Sequence, residues 1–250
     1  MLAAQSCNHV CRIKGLVDLD GRLCIIMERY DGNLDGLVAR DYHQGMPLAR
    51  ALQVLVQVAE ALKGLHGNLH RPIFHHDLKP QNILISDANG EAALADFGLS
   101  VLANTKSYVS KGKGYTVPYA APEQMNEKIG PLSGKADVWA LGLVAVYVLT
   151  GQSIYPPVMT EIQIMFRVGA QETAPEASSC RSRGNASAHE NGSMVTLLLQ
   201  VPASIRSSSP DLAALLESML SIDPAQRPTA EQVHQRLRQI SEARRNQFAA

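Results

Sequence analysis

Two kinds of apolar run open the chain. Gly15-Leu16-Val17 and Leu23-Cys24-Ile25-Ile26-Met27 flank Asp18-Leu19-Asp20-Gly21. Asp-Gly between apolar runs predicts a tight hairpin, because both turn residues tolerate positive φ. The unbroken Leu23–Met27 run predicts a fully buried strand. Asp31-Gly32-Asn33 then breaks the chain. From Pro47 the period lengthens: Leu48, Leu52, Leu55, Val56, Ala59, Leu62 and Leu65 recur at three- and four-residue steps. That stripe predicts an amphipathic helix to His66, with Pro47 suited to its first turn.

Ile83–Ile85 and Ala92–Leu94 flank Asp87-Ala88-Asn89-Gly90 and predict a second hairpin. Residues 136–149 are apolar nearly all round, which predicts a central, buried helix. Residues 172–193, rich in Ser, Ala, Gly and Asn, read as a disordered insertion. Two helices are predicted near 210–221 and 230–243, the last started by a Thr229/Gln232 capping box after Pro228.

Composition narrows the function classes. Hydrophobic residues make up 46% of the 250, enough for a substantial core. Basic and acidic residues number 23 each, so charge offers no reason to expect a nucleic-acid partner. The Leu141–Leu149 run is too short to span a bilayer, and the N-terminus lacks the layout of a signal peptide. Cys7, Cys11, Cys24 and Cys180 fit neither a disulfide framework nor a metal spacing, so the expected compartment is cytoplasmic or nuclear. Cys7 and Cys11 read as ordinary thiols near a frayed end. His66, His70, His75 and His76 likewise match no structural zinc pattern.

The chemistry-bearing residues concentrate in Phe74–Ile85. Asp77, Lys79 and Asn82 fall on one short loop between a helix and a hairpin. A carboxylate, an ammonium and an amide so close together suit proton acceptance and the binding of a metal-bound anion. Asp96-Phe97-Gly98 follows the hairpin, and Asp96 with Asn82 offers oxygen ligands for a hard cation such as Mg²⁺.

These residues resemble the eukaryotic protein kinases. The catalytic loop H-R-D-L-x-x-x-N is matched by His75-His76-Asp77-Leu78-Lys79-Pro80-Gln81-Asn82, and the metal motif by Asp96-Phe97-Gly98. Ala121-Pro122-Glu123, Asp137-Val138-Trp139-Ala140-Leu141-Gly142 and Asp223-Pro224-Ala225-Gln226-Arg227-Pro228 follow in the family's order. The resemblance implies an α+β protein-kinase-like fold: a small-lobe remnant over 1–30 and the helical large lobe over 31–250. It also implies phosphorylation of protein serine or threonine, with ATP and Mg²⁺.

By that resemblance Asp77 orients the acceptor hydroxyl and takes its proton. Lys79 neutralises charge on the transferred phosphoryl, and Asn82 and Asp96 hold the metal. Met27 would border the adenine pocket, the backbones of Glu28 and Tyr30 would bond the adenine edge, and Leu84 would lie beneath the ring. His75 and Phe97 would pack together, Asp137 would brace the catalytic loop, and Glu123 would pair with Arg227. Lys79-Pro80, with Thr116 bonding Asp77 and Lys79, looks like the Ser/Thr form of the loop. Thr160–Met165 with Gln57–Leu65 looks closest to the tyrosine-kinase-like branch of those enzymes.

Two departures stand out. His76 replaces the family's arginine, which predicts a smaller role for activation-loop phosphorylation at Thr105, Ser107 or Ser110. No G-x-G-x-x-G loop or V-A-I-K strand precedes Asp77. The chain is therefore expected to begin inside the small lobe and to be nearly inactive alone. It is also expected to expose a hydrophobic edge at Leu23–Met27. The alternative reading is a catalytically weak, kinase-like interaction module.

Overall fold

A computed structural model describes residues 4–67, 71–96, 101–102, 115–170 and 200–249. Strands β1 (Ile13–Leu19) and β2 (Arg22–Met27) pair antiparallel, with Leu16 opposite Ile25 and Val17 opposite Cys24. The turn has φ of 54° at Asp20 and 75° at Gly21. Two successive positive φ values are what a two-residue turn needs to match strand twist. The Gly21 N–H donates to Asp18 Oδ1 at 2.9 Å.

The buried-strand expectation for Leu23–Met27 is overturned. Leu23 is 73% exposed and Met27 47%, so Met27 is not a core residue. A two-stranded ribbon covers neither of its own faces, and apolar side chains are buried only where another layer packs on them.

The helical body is organised differently. After β3 (Gly32–Asn33), Asn33 caps α1 (Leu34–Asp41), its Oδ1 accepting from the Gly36 N–H at 2.9 Å. Helix α2 (Leu48–His66) buries Leu52, Leu55, Ala59, Leu62 and Leu65 along the predicted stripe, and Val56 is partly buried at its edge. Pro47 stands at the N-cap, one position before the helix.

Strands β4 (Ile73–Phe74), β5 (Ile83–Ser86), β6 (Glu91–Leu94) and β7 (Val101–Leu102) form two small sheets, ordered β3-β5-β6 and β4-β7. The segment before β1 lies along β6: Leu94 N–H donates to His9 O at 2.7 Å and Cys11 N–H to Leu94 O at 2.9 Å. Cys11 is thus buried at 5% exposure and anchored, not frayed; burial and the nearby Glu28 carboxylate push its thiol up.

A short helix, α3 (Pro122–Met125), precedes α4 (Lys135–Thr150), which is buried on all sides from Ala136 to Val146. Helices α5 (Glu161–Gly169), α6 (Ala203–Ser208), α7 (Pro210–Met219) and α8 (Ala230–Ala249) complete the body. The α8 start has reciprocal bonds: Thr229 N–H to Gln232 Oε1 at 2.8 Å and Gln232 N–H to Thr229 Oγ1 at 3.2 Å. Thr160 and Gln163 start α5 in the same way, a signal the periodicity did not single out. The 172–193 segment, Phe97, Gly98, His70, Cys180, Thr105, Ser107 and Ser110 lie outside the described residues.

Candidate active site

The loop from His75 to Asn82 leaves β4, passes Asp77, and closes in a 3-10 turn at Pro80–Asn82 that feeds β5. Its course is set from below by Asp137, fully buried in the first turn of α4. Asp137 Oδ2 accepts the His75 N–H at 2.9 Å, and Oδ1 accepts the His76 N–H at 2.7 Å. Two successive amides converge on one carboxylate because His76 has φ 61°, a left-handed conformation. For a residue other than glycine that costs about 1–3 kcal/mol, which the surrounding bonds must offset.

His66, in the last turn of α2, brings its Nε2 to 2.8 Å from Asp137 Oδ2. Its approach requires a missing side chain: a Cβ on Gly134 would lie 2.7 Å from His66 Nδ1. Burial alone would raise the Asp137 pKa. The His66 hydrogen bond and the neighbouring His66, His76 and His75 rings reverse that and hold it down at about 2.

Above this support, Asp77, Lys79 and Thr116 form a closed triangle. Lys79 Nζ donates to Asp77 Oδ2 and to Thr116 Oγ1, both at 2.7 Å. The Thr116 hydroxyl and N–H both donate to Asp77 Oδ1, at 2.8 and 3.0 Å. Asn82 Nδ2 donates to Asp77 O at 2.9 Å and more weakly to Oδ2 at 3.4 Å. The amide is thereby oriented, leaving Oδ1 as its oxygen donor. The Asp77 carboxylate is thus tied by a threonine, a lysine and an asparagine, which together hold it in one rotamer.

Asp96 follows β6 with φ 60°, turning the chain out of the strand. The residue before it is clamped to the loop twice: Ala95 N–H donates to Asn82 O at 2.9 Å, and His75 Nε2 bonds Ala95 O at 2.9 Å. Asp77 N–H points at His75 Nδ1 at 3.3 Å, so His75 carries its proton on Nε2. These bonds place the Asn82 and Asp96 backbones side by side.

Beside the loop lies a small apolar shelf. Cys11, Ala93 and Ala95 are buried together, with Tyr30 and Leu84 packed against them. Strand alternation produces it: Ile83 and Ile85 enter the main core while Leu84 faces the other way. Met27 and Glu28 sit at the end of β2, where the Glu28 N–H is taken by Arg12 O at 2.9 Å. The kinase resemblance pointed to Leu84 and to the Tyr30 backbone; Cys11, Ala93 and Ala95 carry no sequence signal and join the shelf only through strand pairing.

His76 is buried beside this chemistry, lining one small cavity with Asp77 and Thr116. It is 6% exposed, its ring stands 5.7 Å from that of Phe74, and neither ring nitrogen meets hydrogen-bond geometry with a described residue. Burial pushes its pKa down against the pull of Asp137 and the nearby Ser133 backbone. Its carbonyl is engaged, accepting from Gln124 Nε2 at 2.9 Å.

Glu123 and Arg227 form a fully buried bidentate pair at 2.7 and 2.8 Å. The guanidinium also donates to Ser221 O, Lys135 O and Ile222 O, which uses all five of its N–H groups. It lies 4.9 Å from the Trp139 ring centroid. The pair locks α3 to the turn before α8 and reaches no part of the Asp77 triangle.

An α+β body carrying an aspartate–lysine–asparagine loop beside a second aspartate defines a phosphotransferase class, the protein kinases. Residues 1–237 match the protein kinase domain family, and the chain belongs to it. It is 36% identical over 151 residues to the serine/threonine-protein kinase PknF of Mycobacterium tuberculosis, covering 57% of this chain and 30% of that protein. It is 35% identical over 156 residues to protein kinase wis1 of Schizosaccharomyces pombe, covering 60% and 24%. With wall-associated receptor kinase-like 14 of Arabidopsis thaliana it shares 32% over 156 residues, covering 62% and 22%. The matched region spans less than a third of each of these relatives. Among the described residues no helix is long and apolar enough to cross a membrane.

Proposed function

We propose that this chain carries the catalytic loop of a protein serine/threonine kinase, transferring the γ-phosphoryl of ATP to a protein hydroxyl. The observation that carries the reading is the Asp77–Lys79–Thr116 triangle, with Asn82 bonded to Asp77. Asp77 Oδ2 or Oδ1 accepts the hydroxyl proton as the acceptor oxygen attacks, exchanging its Thr116 or Lys79 bond for the incoming group. Lys79 stays within reach of the transferred phosphoryl and offsets its charge. Thr116 keeps the carboxylate's rotamer fixed.

The donor set fits Mg²⁺: Asn82 presents an amide oxygen, Asp96 a carboxylate, and both are hard ligands on backbone clamped together at Ala95. When bound, the metal would neutralise phosphate charge. The shelf of Leu84, Tyr30, Cys11, Ala93 and Ala95 fits a flat aromatic ring such as adenine. By the kinase resemblance, the Glu28 and Tyr30 backbones would bond the adenine edge and Met27 would border the pocket. His75, Phe97, Asp137, Glu123 and Arg227 are assigned structural roles. Residues 1–30 are assigned to the small lobe and 31–250 to the large lobe. The cysteine pattern supports a reducing compartment, cytoplasm or nucleus.

The test is phosphotransfer from radiolabelled ATP and Mg²⁺ to serine- and threonine-containing peptides. Asp77→Asn and Asp96→Asn should each lower the wild-type signal about a hundredfold or more. Equal signal in all three proteins would overturn the reading. A second reading is a kinase-like binding module. Nucleotide binding without transfer would support that one.

A further inference from the structure

Asp77 and Thr116 meet from two different segments. Asp77 belongs to the loop from His75 to Asn82, and Thr116 to the stretch that runs through a 3-10 turn at Val117–Tyr119 into α3. The Thr116 N–H and hydroxyl both donate to Asp77 Oδ1, at 3.0 and 2.8 Å. That contact lasts only while the two segments keep one relative placement.

Gln124, in α3, joins the same two segments at a second point. Its Oε1 accepts the Ala121 N–H at 2.9 Å, and its Nε2 donates to His76 O at 2.9 Å. A backbone N–H only donates and a carbonyl only accepts, so one orientation of the side-chain amide satisfies both partners. The preceding residue, Glu123, is held by the buried Arg227, so Gln124 reaches the loop from an anchored frame. It lines the same small cavity as Asp77 and Thr116.

The His76 carbonyl belongs to the peptide that enters Asp77. That unit is planar, so fixing its oxygen also fixes the Asp77 N–H, which points at His75 Nδ1 at 3.3 Å. His76 is in the left-handed region at φ 61°, with its own N–H on Asp137. Gln124 holds the other side of this strained residue. The Ala121-Pro122-Glu123 motif stops one position short of Gln124.

We propose that Gln124 is a positioning residue for the Asp77–Thr116 contact: its amide bridges the His76 carbonyl and the Ala121 N–H, so that the peptide entering Asp77 and the segment carrying Thr116 stay in register. The role in turnover rests on the phosphotransfer reading above; the bridge itself does not.

Amide hydrogen exchange tests the bridge on the full chain. Gln124→Glu, ionised at about pH 8, keeps the acceptor for Ala121 and offers His76 no donor. Gln124→Met keeps the length and loses both bonds. In both variants Thr116 exchange should accelerate about tenfold or more beyond any change at Val144 in α4, while Ala121 accelerates in Gln124→Met alone. Thr116 unchanged in either variant, Ala121 equally fast in both, or equal acceleration at Val144 overturns the proposal. If neither variant folds, the wild-type side-chain amide decides. One of its protons should exchange about tenfold more slowly than those of the exposed Gln81, and equal rates overturn the bridge.

In the kinase assay Gln124→Met should lower kcat about tenfold with KM for ATP within about twofold. In a Thr116→Ala background the same change should cost less than about threefold, because the contact that it positions is already gone. An unchanged kcat, or a full tenfold loss in both backgrounds, counts against the positioning role. A wild-type chain that transfers no phosphate counts against the phosphotransfer reading alone, because exchange is read without turnover.

Discussion

The β1–β2 hairpin and the helical body both contain dense apolar runs, but they spend them differently. In the body, Trp139, Leu62, Leu65 and Val144 are all fully buried. In the hairpin, Leu16, Leu19, Leu23, Ile26 and Met27 are all exposed, from 47% to 73%. Both regions form hydrogen-bonded elements. Only the body adds a second layer, and burial at roughly 25 cal/mol per Å² is what separates a stable core from a paired ribbon. The comparison teaches that strand formation and strand burial are separate events, the first set by turn and pairing, the second by what packs on the face.

The largest expected break of that contrast is at Arg227. Arg227→Ala leaves the Glu123 carboxylate buried and unpaired, and should destabilise the body by about 3–5 kcal/mol in denaturant unfolding. Arg227→Lys should recover only part of this, because one ammonium cannot replace five directed donors.

Next is the acid response of Asp137. Its folded pKa of about 2 lies below the ordinary 3.8. A depressed carboxylate contributes its stability above the unfolded value and loses it as pH falls through the folded one. About 2 kcal/mol should therefore disappear between roughly pH 4 and pH 2. Unfolding free energies measured across that range should show this slope in wild type and lack it in Asp137→Asn.

Gly21→Val is expected to cost about 1–2 kcal/mol locally, since φ of 75° is strained for a β-branched residue. Hydrogen exchange should speed up across β1 and β2 while α2 and α4 stay protected; loss of protection in α4 would show that the two regions fold as one unit. Smallest is Leu23→Lys, expected to change body stability by less than about 0.5 kcal/mol. It should still reduce self-association measured by light scattering, because it breaks an exposed apolar strand.

Legibility followed the range of the interactions involved. The Asp20-Gly21 turn, the α2 stripe and the Thr229 cap are local, and each was readable from a few neighbouring residues. Asp77, Lys79, Asn82 and Asp96 were readable because the kinase motifs are short and ordered. The Asp137–His66 bond joins residues 71 apart in sequence, and no periodicity reports such a pair. The shelf under Leu84 joins Cys11 to Ala93 and Ala95 through a parallel bridge beside β6 that spacing does not encode. The Leu23–Met27 run was misread as buried for the same reason: apolar content states a preference for burial, and a partner layer must supply it.

By itself the sequence determined the turn chemistry, the helix periods, the family and the residues of the candidate catalytic loop, because local sterics and short motifs depend on neighbours along the chain. Only the tertiary structure decided how far the β2 side chains are exposed, that His76 is buried against Phe74, and that His66 and two loop amides converge on Asp137. Those outcomes depend on which distant elements come to lie within hydrogen-bond reach, and the number of possible long-range pairings far exceeds what a one-dimensional pattern can specify.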